Sequence, residues 1–215
     1  MENGESFWFE IDLLRHRIVL ETTSGERARL DMAAGRMATE MGEKVLAAVG
    51  GLGLSGTYDR QRFEDDGERV YEPAAAKSLC MALVEADAVL NLHRESLSGD
   101  VSPVQFWPHH FDLSCEWFGT RTESVEEAGQ TQELPAQINF GFYPGEPAYF
   151  YANPWPFDSE RLLDQPLPAG ACWHVEGWQG SILPYSELVG SAEASHRLRS
   201  YFEAVYRVAS PLLLA

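Results

Sequence analysis

Sixteen of the 25 aromatic residues fall between positions 106 and 185, mostly in runs where apolar and polar side chains alternate. Alternation with a period of two places successive side chains on opposite faces of a strand, so this half of the chain must form a sheet with one covered face. The pattern predicts strands over 103–118, 135–143, 148–153 and 171–183, with "YPGEP" (143–147) as the turn between the middle two. The opening "FWFEIDL" alternates in the same way, "HRIVLETTSGERARLDM" predicts a hairpin turning at Ser24-Gly25, and "LGLSGTY" predicts a further short strand.

A half-covered sheet needs something to cover it. Helical spacing appears at Met37, Met41, Val45 and Ala48 (33–49), at Leu79, Leu83, Ala86 and Leu90 behind Pro73 (73–92), and at Leu198, Phe202, Val205 and Tyr206 behind Ser191 (192–208). The expected fold is α+β: a mostly antiparallel sheet, whole or in two sub-sheets, covered by about three helices. At 215 residues one domain is long enough to bury roughly 70% of its unfolded surface. The connector "RESLSGDVSP" is short and not low in complexity, so residues 1–215 are read as one domain with a change of character near residue 98.

Thirty-three acidic against 16 basic residues leave a formal charge of −17. A surface this acidic repels phosphate backbones and anionic lipid, which argues against nucleic-acid and membrane partners. The acidic N-terminus is unlike a secretory signal, and three scattered cysteines without a CxxC pair suit reduced thiols in the cytoplasm. No P-loop, GxGxxG or GxSxG is present, so no nucleotide cofactor or serine nucleophile is expected. Of the thiols, Cys115 falls on the apolar side of its strand, and Cys172, beside His174, is the one worth testing for reactivity.

The chemistry-bearing stretch is "FWPHHFDLSCEWFG" (106–119). Read as a strand, 109–118 puts His109, Phe111, Leu113, Cys115 and Trp117 on one face and His110, Asp112, Ser114, Glu116 and Phe118 on the other. "ACWHVEGW" repeats the arrangement, with His174 and Glu176 opposite Trp173 and Val175. If the two strands share a sheet, His110, Asp112, His174 and Glu176 form a mixed nitrogen and oxygen set, suited to a divalent metal or to acid and base roles. The plainer alternative is the polar face of an amphipathic sheet. Tyr149, Tyr151 and Trp155 in "YFYANPWPFD", together with Trp107, pair flat apolar area with polar tips and are candidate contacts for a small organic ligand.

Three segments, "SPVQFWPHHFDLSCEWFG", "INFGFYPGEPAYFYANPWPFD" and "WQGSILPY", resemble in order the DUF5996 family of uncharacterised proteins, with weaker likeness in "RFEDDGERVYEP". Trp107, Phe111, Asp112, Leu113, Gly141, Phe142, Pro144, Gly145, Tyr151, Pro154 and Pro156 match the family pattern, and nearer relatives extend it to His110. The resemblance implies a shorter loop after Pro144-Gly145 than is usual and a start downstream of a segment carried by longer members. It implies no activity. Two classes therefore remain: a protein binding or acting on a small organic molecule through a pocket of His110, Asp112, Tyr151, Trp155, His174 and Glu176, or an interaction module with an exposed aromatic surface for another protein or for its own copy.

Overall fold

The computed structural model describes residues 6–32, 37–54, 56–127 and 129–215. The chain forms two compact units, Met1–Met81 and Ala82–Ala215, whose boundary falls inside a long helix.

In the first unit, β1 (Phe7–Asp12), β2 (Arg17–Thr22) and β3 (Arg27–Asp31) make an antiparallel meander in the order β1-β2-β3. The turn at Ser24-Gly25 is confirmed, with Gly25 at φ 87°, a conformation that costs glycine nothing. Helix α1 (Ala38–Gly51) lays Val49 against Ile18 and Leu20, and Leu54 beyond its end joins the same cluster. The expected start of this helix at 33–36 lies outside the described residues. "LGLSGTY" is not a strand at any of its described residues. Its apolar residues are too few for two-sided pairing, and Leu54 is buried against the meander instead.

The second unit is built on an antiparallel sheet of β4 (Asp100–Val101), β5 (Gln105–Trp107), β6 (Asp112–Glu127), β7 (Gln130–Tyr143), β8 (Tyr149–Trp155), β9 (Cys172–His174) and β10 (Gly180–Pro184). The order is β4-β6-β7-β8-β10-β9, with β5 paired to the start of β6. One face is buried: Leu113, Cys115 and Trp117 from β6, Ile138, Phe140 and Phe142 from β7, and Phe150 and Ala152 from β8. It is covered by the second half of α2 (Pro73–Ser96), through Ala86, Val89 and Leu90, and by α4 (Ala194–Ala209), through Leu198, Phe202 and Val205. A one-turn helix, α3 (Ser159–Leu162), adds Leu162. The α+β, antiparallel expectation therefore holds, with two sheets and three helices longer than one turn among the described residues.

Four boundaries differ from the sequence reading. The run 103–118 is not one strand: residues 108–111 turn, and Phe111 takes φ 61°. Beyond Phe118 the β6–β7 hairpin continues to Glu127 and Gln130 through a register shift between Phe118 and Thr122. That extension is largely polar on both faces, so hydrophobic periodicity could not reveal it. Likewise 171–183 divides into β9 and β10 around a turn containing Gly177 at φ 81°. At α4, Ser191 Oγ accepts from Glu193 N at 3.2 Å, but the N-cap position is Glu193.

Candidate functional site

The site lies on the uncovered face of the large sheet, and the strand register shows how it is built. Leu113 pairs with Phe142, which places Asp112 beside Tyr143, and Tyr143 pairs with Tyr149. The next outward-facing row is Ser114, Gly141, Tyr151 and Ile182, and the row after that is Glu116, Asn139, Asn153, Gly180 and His174. Trp178, from the β9–β10 turn, stacks beside Tyr149 with ring centroids 6.3 Å apart and an interplanar angle of 19°. Of these, Asp112, Asn139, Tyr143, Tyr149, Tyr151, Asn153 and Trp178 enclose an open cleft of about 470 Å³. Asp112 and Asn139 are among its walls, three tyrosines and Trp178 supply aromatic surface, and His110 stands at one edge.

Glycine makes this packing feasible. Tyr151 on β8 reaches across β7 to Asp112 on β6, and it can do so because Gly141 lies underneath. A Cβ at Gly141 would sit 2.3 Å from the Tyr151 ring and 2.6 Å from the Leu113 carbonyl oxygen. Gly145 plays the same part for Tyr143 at 2.3 Å, and Gly180 for Trp178 at 2.5 Å. Each of these aromatic rings thus rests where an ordinary side chain would displace it.

The Tyr151 hydroxyl donates to Asp112 Oδ2 at 2.6 Å, the short distance of a hydrogen bond to a carboxylate. Trp107 Nε1 donates to Ser114 Oγ at 2.8 Å, in the same row as Tyr151. Trp107 and Ser114 thereby brace the cleft without lining it. Burial, then the bonded Asp112 carboxylate, pushes the Tyr151 hydroxyl far above the ordinary phenol range. Burial, with Tyr143 and Asp112 nearby, raises Tyr149 as well. Both therefore stay protonated at neutral pH, as hydrogen-bonding groups and not as bases. Burial raises the Glu116 carboxyl one row further along.

Two oxygens of the cleft-forming residues are left over. Asp112 Oδ1 and Asn139 Oδ1 are buried and have no hydrogen-bond partner. A buried unpaired acceptor carries a penalty of about 1–3 kcal/mol, and more when charged, so the arrangement lacks a donor.

The sequence-derived candidates fare differently. His110, Asp112 and Tyr151 come together in the cleft. His110 arrives from the turn and not from a strand, with its ring 6.5 Å from Tyr143. His174 shares the open face and lies against Trp178 at 4.7 Å, whereas Glu176 is exposed in the following turn. Trp155 is on the same face, opposite Gln137 and one outward row past Asn153, away from the cleft. The four-residue metal set does not form: β7, β8 and β10 stand between β6 and β9, a span of about 19 Å at usual strand spacing. Among the described residues no three His, Cys, Asp or Glu side chains are grouped to hold a metal ion. Sequence reasoning missed Asn139, Tyr143, Asn153 and Trp178. The "GFYPG" turn and the alternation in "INFGFY" carried the signal for the first two, since both alternate with buried Phe140 and Phe142.

A second groove, of about 190 Å³, lies in the same unit between residues of α2 and α4. Its walls, including Ala82, Val89, Tyr185 and Leu198, contain no unpaired buried polar atom, so nothing there calls for a ligand. No described helix is long and apolar enough to cross a membrane.

A family model described as a family of unknown function, DUF5996, matches residues 1–213. No curated protein and no solved structure matches the chain.

Proposed function

We propose, from the premise that the chain belongs to the DUF5996 family and takes no assigned activity from it, that the open-face cleft binds a small organic molecule. The observation carrying this reading is the pair of donorless oxygens, Asp112 Oδ1 and Asn139 Oδ1, among aromatic rings seated on glycines. Concave aromatic surface with a few fixed polar groups is the usual make-up of a small-molecule site. The open form suits a binding site, and a reaction would need a base that neither tyrosine provides. His110 is the residue there with the right chemistry for proton transfer. The acidic surface and three free cysteines suit a reducing, cytoplasmic setting.

Saturation-transfer NMR with a fragment library tests this. Aromatic fragments are expected to bind the wild-type protein and to lose binding to Trp178→Ala, whose residue is half-buried in a turn and dispensable for the core. Fragment binding unchanged by Trp178→Ala would refute the cleft as the site.

A second reading, self-association, is favoured by β1. This edge strand leaves Phe7, Trp8 and Phe9 exposed by 50%, 45% and 46%, with Ile11 also exposed. An unpaired apolar edge is a template for another strand, and the partner it fits best is the same strand of a second copy. Sedimentation equilibrium would show a dimer that Phe7→Ser/Phe9→Ser dissociates; a monomer at high concentration would exclude this reading.

A further inference from the structure

Resting on the small-molecule reading of the cleft, we infer that its ligand is a protonated amine carried on an apolar or aromatic body. Three independent features converge on that chemistry.

The first is an uncompensated charge. Asp112 accepts from a neutral hydroxyl at Oδ2 and from nothing at Oδ1. No Lys or Arg lines the cleft, and Asp112 has no ion pair among the described residues. His110 is near, yet forms no bond to it. Asp112 is half-buried, and a carboxylate partly withdrawn from water among aromatic rings favours a cation as its partner, so the group it calls for is positive and donates N–H. A neutral alcohol would supply the donor without the charge.

The second is the second acceptor. Asn139 Oδ1 is also without a donor, and an ammonium carries three N–H groups. The register sets Asn139 two outward rows from Asp112, about 13 Å along the sheet, so the ammonium meets Asp112 and a second donor on the ligand's body meets Asn139. A quaternary ammonium would supply charge but no N–H, and would leave Asp112 Oδ1 bare.

The third is the aromatic wall. Tyr143 and Tyr149 have ring centroids 5.1 Å apart, and Trp178 lies 6.3 Å from both Tyr149 and Tyr151. Faces of electron-rich rings attract cations and also cover the apolar body of the ligand. An anion would meet this wall, Asp112 and a protein of charge −17 with repulsion throughout.

Calorimetric titration of the full chain with benzylammonium, benzyl alcohol, benzyltrimethylammonium, benzoate and a neutral methyl glycoside tests the inference. Benzylammonium is expected to bind about tenfold more tightly than benzyl alcohol, as one cation–π contact plus one charged hydrogen bond suggests. Benzyltrimethylammonium should be weaker than benzylammonium, and benzoate should not bind. Asp112→Asn, which retains an acceptor for Tyr151, should bring benzylammonium and benzyl alcohol within about twofold of each other. Circular dichroism would verify that this variant is folded, and Tyr149→Leu gives a second, independent loss of cation preference. Equal or tighter binding of the alcohol, the glycoside or benzoate would overturn the amine while leaving a small-molecule cleft standing. Binding of none of the five at millimolar concentration would overturn both.

Discussion

The two faces of the large sheet use similar aromatic side chains for different ends. On β8, Phe150 and Ala152 point into the core, and Tyr149, Tyr151 and Asn153 alternate with them on the open face. On β7, Phe140 and Phe142 are buried, whereas Asn139 and Tyr143 look outward. The core face is closed: its rings touch one another and two helices, as where Phe140 meets Phe202 at 5.5 Å. The open face is incomplete, with rings seated on glycines and two acceptors lacking donors. The difference teaches that the core and the proposed binding face are separated here by strand parity. A hydroxyl or amide at every second position marks the open side.

That separation can be broken most forcefully from the core side. Phe140→Ala is expected to cost about 3–5 kcal/mol in denaturant unfolding, the usual range for a fully buried phenylalanine. If it costs under about 1 kcal/mol, the core face is not what holds the sheet.

The core has one polar exception. His93 is fully buried against Phe140 and Phe202, with neither ring nitrogen bonded. Burial, with a lesser contribution from Arg199, pulls its pKa from 6.5 down to about 4. The unfolded chain therefore takes up a proton that the folded chain refuses between those values. Stability present above about pH 6.5 is lost as pH falls towards 4, by about 3 kcal/mol in all. His93→Leu should flatten this part of the stability–pH curve without weakening the protein at pH 7, because no hydrogen bond is removed. An unaltered acid limb in the variant would show that other groups set it.

On the open face the expected effects on folding are smaller and those on binding larger. Tyr151→Phe strips Asp112 of its one donor and should cost about 1–2 kcal/mol, while Tyr149→Phe should change unfolding by less than about 0.5 kcal/mol. Equal losses from the two would contradict the special position of Tyr151. Finally, a thiol reagent should modify exposed Cys172 readily and leave Cys115 untouched in the folded protein. Cys115 is completely buried, and burial pushes its thiol up to about 12.

Much of this division is legible in the amino-acid order, because Phe–Ala and Tyr–Asn alternation is a direct record of which side of a strand meets helices. The helices over 73–92 and 192–208 are legible for the same reason, and they appear as Pro73–Ser96 and Ala194–Ala209. Strand order leaves no such trace. His110 with Asp112 and His174 with Glu176 look equivalent in sequence, yet three intervening strands part them. The reach of Tyr151 over Gly141 is legible only after register is known, since nothing local distinguishes that glycine from a turn former. Trp178 projects into the cleft from a turn, where no periodicity operates.

The account rests on the open face being where a ligand goes, and an NMR titration read on side-chain signals tests it most directly. With an aromatic amine added stepwise, the side-chain amides of Asn139 and Asn153 and the indole N–H of Trp178 should shift together with one dissociation constant. The indole of Trp117, on the core face, should stay still. Shifts confined to signals around Ala82, Val89 and Leu198, or none at the three open-face side chains at saturation, would contradict the account.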